Sequence, residues 1–95
     1  MTNKELKEIK QLNRLIGECR GRGERQKANR LFKRYQKRVK FIYDIQDCFI
    51  RNIFIYRYIL GMSWIKVSFS VGGGNTDSSC KMIVKRYLDR INSGK

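Results

Sequence analysis

Apolar side chains recur along this chain at spacings of three and four, the period of amphipathic helices rather than strands. Leu6, Ile9, Leu12, Ile16 and Cys19 form a first stripe with Lys and Glu alternating outside it, which predicts a helix over residues 3–20 capped by Thr2 or Asn3. Ala28, Leu31, Phe32, Tyr35, Val39 and Ile42 form a second stripe, in a helix that starts at Glu24 or Arg25 and runs to Tyr43. The Gly21-Arg22-Gly23 break between them favours an antiparallel hairpin. A dimeric coiled coil competes, because the second stripe is nearly heptad. Residues 44–47 read as a hinge in which Asp44 and Asp47 can each cap a helix.

Beyond the hinge the stripes shorten. Ile50, Ile53, Phe54, Arg57 and Tyr58 predict a third helix over 47–60, with Phe49 and Ile59 widening its face and Gly61 at the C-cap. Ser63 can cap a fourth helix over 63–71, where Trp64, Val67 and Val71 share a face. Trp64 is in register for the core, which outweighs a role as a base-stacking platform. Gly72-Gly73-Gly74 then supplies a sharp turn, and Asn75 or Thr76 caps a fifth helix over 76–92. Its inward face is Cys80, Ile83, Val84, Tyr87, Leu88 and Ile91, and residues 92–95 are expected to fray. The predicted fold class is all-α. A helical hairpin (or coiled coil) occupies 1–44, and a three-helix helix-turn-helix head occupies 45–95.

Charge turns this outline toward a partner. Lys and Arg number 22 against 8 acids, a net charge of +14 on 95 residues, and proline and histidine are absent. Such an excess suggests a polyanion, with nucleic acid ahead of an anionic membrane surface. Residues 1–44 carry 14 basic and 5 acidic side chains, and residues 45–95 carry 8 and 3. From Arg25 to Lys40 eight basic residues occur without an acid. That run is either a solvated face or a phosphate-contacting one, and the lack of balancing Glu keeps the second reading level with the first. Arg30, Lys33, Arg34, Lys37 and Arg38 are its candidate contacts.

Catalytic chemistry finds little material. There is no His, no paired carboxylates on one face, no nucleophile–base set and no metal-ligand spacing, so neither an enzyme nor a metal or other cofactor is expected. Cys19, Cys48 and Cys80 are widely spaced and read as buried or half-buried small apolar residues in a reducing compartment. The first residues lack an apolar signal core, and the most apolar run, Phe49 to Met62, is short and interrupted by Arg51 and Arg57. No membrane span is therefore expected.

The start of the fifth helix is the better candidate for function. In a helix-turn-helix the second helix meets base edges in the major groove while the preceding helix lies across the backbone. Thr76, Asp77, Ser78, Lys81, Met82 and Lys85 are its outward positions. Thr76, Ser78 and Lys81 suit base edges or nearby phosphates, and Lys66, Lys85 and Arg86 suit phosphates. Asp77 either supports the helix dipole or accepts from a cytosine amino group.

Taken in order, Ile45-Gln46-Asp47, Arg51-Asn52-Ile53-Phe54, Arg57-Tyr58-Ile59, Gly61-Met62-Ser63-Trp64, Val67-Ser68, Gly72-Gly73-Gly74-Asn75-Thr76 and Arg86-Tyr87-Leu88 resemble the head of small phage and prophage transcription regulators. These are themselves similar to region 4 of bacterial RNA polymerase sigma factors. The resemblance covers residues 45–91, and the basic helical segment before the head also looks like the family. Ser68 stands where the family has Ala, Ser78 where an acid is common, Lys81 where Arg stands, and Gln46 where Pro is frequent. Lys81 lacks the planar fork of Arg.

The resemblance implies a sequence-specific regulator of double-stranded promoter DNA in the cytoplasm of a bacterial host, with host RNA polymerase as a further partner. A homodimer through the basic segment stays open. The competing expectation is an interaction protein that binds a host protein or ribonucleoprotein, for instance as an inhibitor of a defence nuclease. The excess charge outside the head favours it. A DNA-recognition subunit of a packaging machine is a third.

Overall fold

The computed structural model describes residues 1–93, and every regular element among them is helical. Helix α1 spans Asn3–Lys7, α2 Ile9–Gly21, α3 Arg25–Tyr43, α4 Cys48–Phe54, α5 Trp64–Val71 and α6 Asp77–Ser93; α4 continues into a π-helical turn over Ile55–Ile59.

The first stripe is buried throughout, but the helix that carries it is broken at Glu8. Thr2 is the cap. Its hydroxyl accepts from the Glu5 amide at 3.2 Å, and the Glu5 carboxylate accepts from the Thr2 amide at 3.1 Å. This reciprocal box fixes the start of α1. The Thr2 amide, and the Thr2 hydroxyl at 3.2 Å, both donate to the Glu5 carboxylate and hold its carboxyl below the usual range. At the other end the Glu8 amide turns back to Glu5 O at 3.2 Å, tightening the last turn, and α2 begins from Glu8 O with a bond from Leu12 N at 2.8 Å. An apolar period cannot reveal such a break, because Leu6 and Ile9 stay on the buried side of it.

Asp47 caps α4, accepting from Phe49 N at 2.9 Å and Ile50 N at 3.1 Å. Asp44 is no N-cap; it ends α3 and pairs with Lys40 at 2.6 Å, one helical turn earlier. The π turn is a second departure from the expected continuous helix. Leu60 N reaches Ile55 O at 2.9 Å, five residues back, and Gly61 at φ 69° then lets the chain leave the helix. The expected fraying of 92–95 does not extend to Asn92 and Ser93. Both close α6, and Asn92 exchanges hydrogen bonds with Met1, whose N-terminal ammonium donates at 3.3 Å and whose carbonyl accepts at 2.9 Å. Gly94 and Lys95 lie outside the described residues.

One core runs through the molecule. Leu6, Ile9 and Ile42 from α1–α3 join Ile45, Ile53, Phe54, Tyr58, Val67, Cys80, Val84 and Leu88 in a single buried cluster. Phe54 is its centre, with the rings of Tyr58 and Tyr87 at 5.7 and 5.6 Å and Phe41 at 6.4 Å. These are offset and edge contacts of the favourable kind. Leu12, Ile16, Cys19 and Ala28 continue the buried apolar line where α2 lies along α3. The second stripe is shallower than predicted: only Ala28 and Ile42 are fully buried, while Leu31, Phe32, Tyr35 and Val39 remain half-buried. Cys19 and Cys80 are buried as expected, but Cys48 is exposed at the start of α4, because the first turn of that helix faces outward.

Candidate nucleic-acid interface

The segment from Ser63 to α6 is shaped by caps and by three glycines. Ser63 Oγ accepts from Lys66 N at 3.3 Å and starts α5. Gly72 ends it at φ 66° and ψ −157°, and Gly73 and Gly74 continue at φ 68° and 74°. No residue with a Cβ takes three such conformations in a row without strain. Asn75 locks the turn: its amide donates to Gly72 O at 2.8 Å, and its carbonyl oxygen accepts from Ser79 Oγ at 3.3 Å. Thr76 is the cap of α6, accepting from Ser79 N at 3.1 Å. Ser68, buried inside α5, donates to Ile65 O at 2.6 Å, so its hydroxyl is satisfied within its own helix.

With Cys80, Val84 and Leu88 turned into the core, Ser78, Lys81, Met82 and Lys85 form one exposed stripe on α6 at the i, i+3, i+4, i+7 spacing. Thr76, Arg86 and, on α5, Lys66 are exposed as well, while Asp77 is half-buried in the first turn. Asp77 also adds to the rise of the Cys80 thiol, which burial chiefly drives.

The flank of α6 that carries Lys81 and Lys85 opens onto a groove of about 560 Å³ whose other wall is α1. Lys7 and Arg57 line it with them, and Asp89 is its one carboxylate. Thr76, Asp77, Ser78, Met82, Arg86 and Lys66 do not border this groove. Trp64 borders it too, half-buried and packed against the edge of the core, with the Arg57 guanidinium 4.7 Å above its ring. Arg57 is drawn there because its Nη1 donates to Met62 O at 2.9 Å. Tyr58 reaches the same groove and donates to Asn3 Oδ1 at 2.6 Å. Burial pushes its phenol up to about 12, against a lowering influence from Arg57.

On α3, Arg30, Lys33, Arg34 and Lys37 are exposed. Arg38 is not a free contact. Its side chain is only 15% exposed and pairs with Glu8 at 3.3 Å, fastening the joint between α1 and α2 to α3. Sequence reasoning missed Lys7, whose nearness to α6 depends on the tertiary path of α1. It also passed over Arg57 as a charge in an apolar stripe, which was the available signal. Ile65 and Phe69 went unremarked as well. They lie one turn apart on α5 and are 60% and 81% exposed, off the face that Val67 buries.

Comparison of the chain with protein-family models, with curated proteins and with solved structures finds no match.

Proposed function

We propose that this protein binds double-stranded DNA, with α5, the triple-glycine turn and α6 acting as a helix-turn-helix and the exposed stripe of α6 entering the major groove. The observation that carries the reading is that stripe. A capped helix that buries Cys80, Val84 and Leu88 presents Ser78, Lys81, Met82 and Lys85 to solvent, with Arg86 beside them and one acid, Asp77, near its start. Lys81 and Ser78 supply donors for base edges, and Met82, 48% exposed, supplies an apolar surface for a thymine methyl. Lys66, Lys85 and Arg86 serve phosphates, and the exposed Arg30, Lys33, Arg34 and Lys37 of α3 add a second cationic surface on the segment read as a helical hairpin. The specific role is the one the resemblance implies: a phage-type transcription regulator in a bacterial host.

Selection of bound duplexes from a random pool tests the reading, followed by affinity against salt. A recovered motif is expected, with affinity falling roughly ten- to a thousandfold from low to physiological salt when several phosphates are held. Unenriched pools together with salt-insensitive binding reject it.

A protein partner is the second reading, and Ile65 and Phe69 favour it. Two large apolar side chains one turn apart on a helix, exposed to this degree, are unusual without something to cover them. Host RNA polymerase, or a host protein or ribonucleoprotein bound instead of DNA, fits that pair. Ile65→Ser with Phe69→Ser separates the two readings, because it abolishes protein capture and leaves duplex affinity unchanged.

A further inference from the structure

The geometry points to a strand clamp: the groove between α1 and α6 receives one sugar-phosphate strand of the duplex, held by Lys7 from α1 and by Lys85 from α6, beside the Lys81 that is read as a base contact. This rests on the reading of α6 as the major-groove helix. A helix of about 10–12 Å diameter fills a major groove of about 12 Å, so its two flanks face the two bordering strands. On α6 those flanks differ. Successive residues are about 100° apart around a helix, so Lys85 and Arg86 fall on opposite sides of Ser78 and Met82. The Lys85 side is exposed but has a second wall opposite it. It faces α1 across the groove, where Lys7 and Arg57 meet Lys81 and Lys85 with only Asp89 to offset them.

A strand bordering the major groove on that side must pass through this space. The groove suits it chemically. The buried Val84 and Leu88 close its floor, and the cations stand on both walls, where one phosphodiester run can be gripped from two sides. Position is enforced by the groove's own lining and by the core behind it. Leu6 is fully buried, Asn3 holds the Tyr58 hydroxyl, and Met1 and Asn92 exchange two hydrogen bonds, so α1 cannot drift from α6 without breaking these contacts. Lys7 is itself exposed and is in none of the ion pairs among the described residues. Arg86 is left to the opposite strand.

The test is binding of the full chain to a mixed-sequence 20-base-pair duplex across a salt series, for Lys7→Ala, Lys85→Ala, Arg86→Ala and the two double variants Lys7/Lys85 and Lys7/Arg86. Loss of one phosphate contact is expected to reduce the slope of log K on log salt by about 0.9. Lys7→Ala is expected to do this and to weaken binding about threefold to tenfold, with Lys7→Arg restoring it. Lys7 and Lys85 are expected to be coupled, and Lys7 and Arg86 to be additive. If Lys7→Ala binds with wild-type affinity and slope while Lys85→Ala or Arg86→Ala weakens binding, the clamp is wrong and α6 still reads DNA. If Lys7 couples to Arg86 and not to Lys85, the one-strand arrangement is wrong. If none of the α6 variants changes affinity, the reading of α6 falls with the clamp.

Discussion

The guanidinium of Arg57 lies 4.7 Å above the ring of Trp64, and its Nη1 donates to Met62 O at 2.9 Å. One side chain from the π turn after α4 thereby holds both the loop around Gly61 and the first residue of α5. The stacking is worth about 0.5–1 kcal/mol at a partly exposed site, and a charged hydrogen bond about 1.5 kcal/mol or more. Arg57→Lys keeps the charge but loses the planar stack and the fork. It is expected to lower stability by about 1 kcal/mol in urea unfolding. Trp64 is the one tryptophan, so its emission reports the transition directly. An unchanged midpoint would show that the stack contributes nothing.

Gly72 holds a backbone conformation that a side chain would strain. Its φ of 66° with ψ of −157° lies in a region that only glycine populates freely. Gly72→Ala is expected to cost about 1–3 kcal/mol and to weaken duplex binding by misdirecting α6. Open space surrounds the position where the new Cβ would stand, so the cost is conformational and not a clash. Gly74→Asn is the control, since Asn tolerates positive φ better than Ala. Chemical denaturation of both variants separates strain from a general intolerance of the turn to substitution.

Much of this architecture is legible in the chain as written. Stripes at spacings of three and four place the helical segments, though not the division of the first into α1 and α2; Ser63 is read outright as a cap, while Thr2, Asp47 and Thr76 are each one of two candidates that residue type leaves open. What escapes is of two kinds. The break at Glu8 and the π turn at Ile55–Ile59 change the hydrogen-bond ladder while leaving the apolar stripe nearly in register, so periodicity is blind to them. The groove is invisible for another reason. Lys7 and Lys85 are far apart in sequence and meet only because Leu6 and Leu88 enter the same core. The stripe on α6 is local, and it was legible.

Tyr58 gives the fold an alkaline limit. Its phenol is raised from 10 to about 12, chiefly by burial. A group whose folded value is raised contributes stability in full below its unfolded value, and that contribution is lost as pH climbs through the folded one. Stability is therefore expected to fall between pH 10 and 12 by more than lysine deprotonation alone produces. Tyr58→Phe removes the hydrogen bond to Asn3, at a cost of about 0.5–1.5 kcal/mol near neutrality, and it removes this share of the alkaline loss. Unfolding free energies at pH 8 and pH 11 for both proteins decide the matter: an equal fall in each refutes the assignment.

At the acid end the sign reverses. The Glu5 carboxyl is lowered from 4.5 by its bonds from Thr2, so the capping box adds stability above that value and loses it as pH falls through the lowered one. The group is nearly exposed, and the effect is correspondingly small. Glu5→Gln is expected to be slightly less stable than wild type at pH 7 and indistinguishable from it at pH 2.5. A gap that persists at pH 2.5 would assign the loss to packing instead of charge.

Neighbouring residues on α3 divide by role. Lys37 is exposed and free of the ion pairs of the described residues, whereas Arg38 is 15% exposed and bonded to Glu8. Lys37→Ala is expected to leave stability within about 0.5 kcal/mol. If α3 contributes phosphate contacts, it weakens every duplex by a similar factor and cuts the salt slope by about 0.9. Arg38→Ala loses a partly buried pair and its packed stem, and it is expected to cost about 1–2 kcal/mol with no change in salt slope beyond that of lost folding. On the proposed reading Lys81→Ala is expected to differ from both, because a base contact carries preference between sequences: it should relax the recovered motif while the fold is untouched. Equal losses on all duplexes from Lys81→Ala and Lys37→Ala would mean that α6 grips phosphates and reads no base. The protein would then be a non-specific duplex binder with two cationic faces.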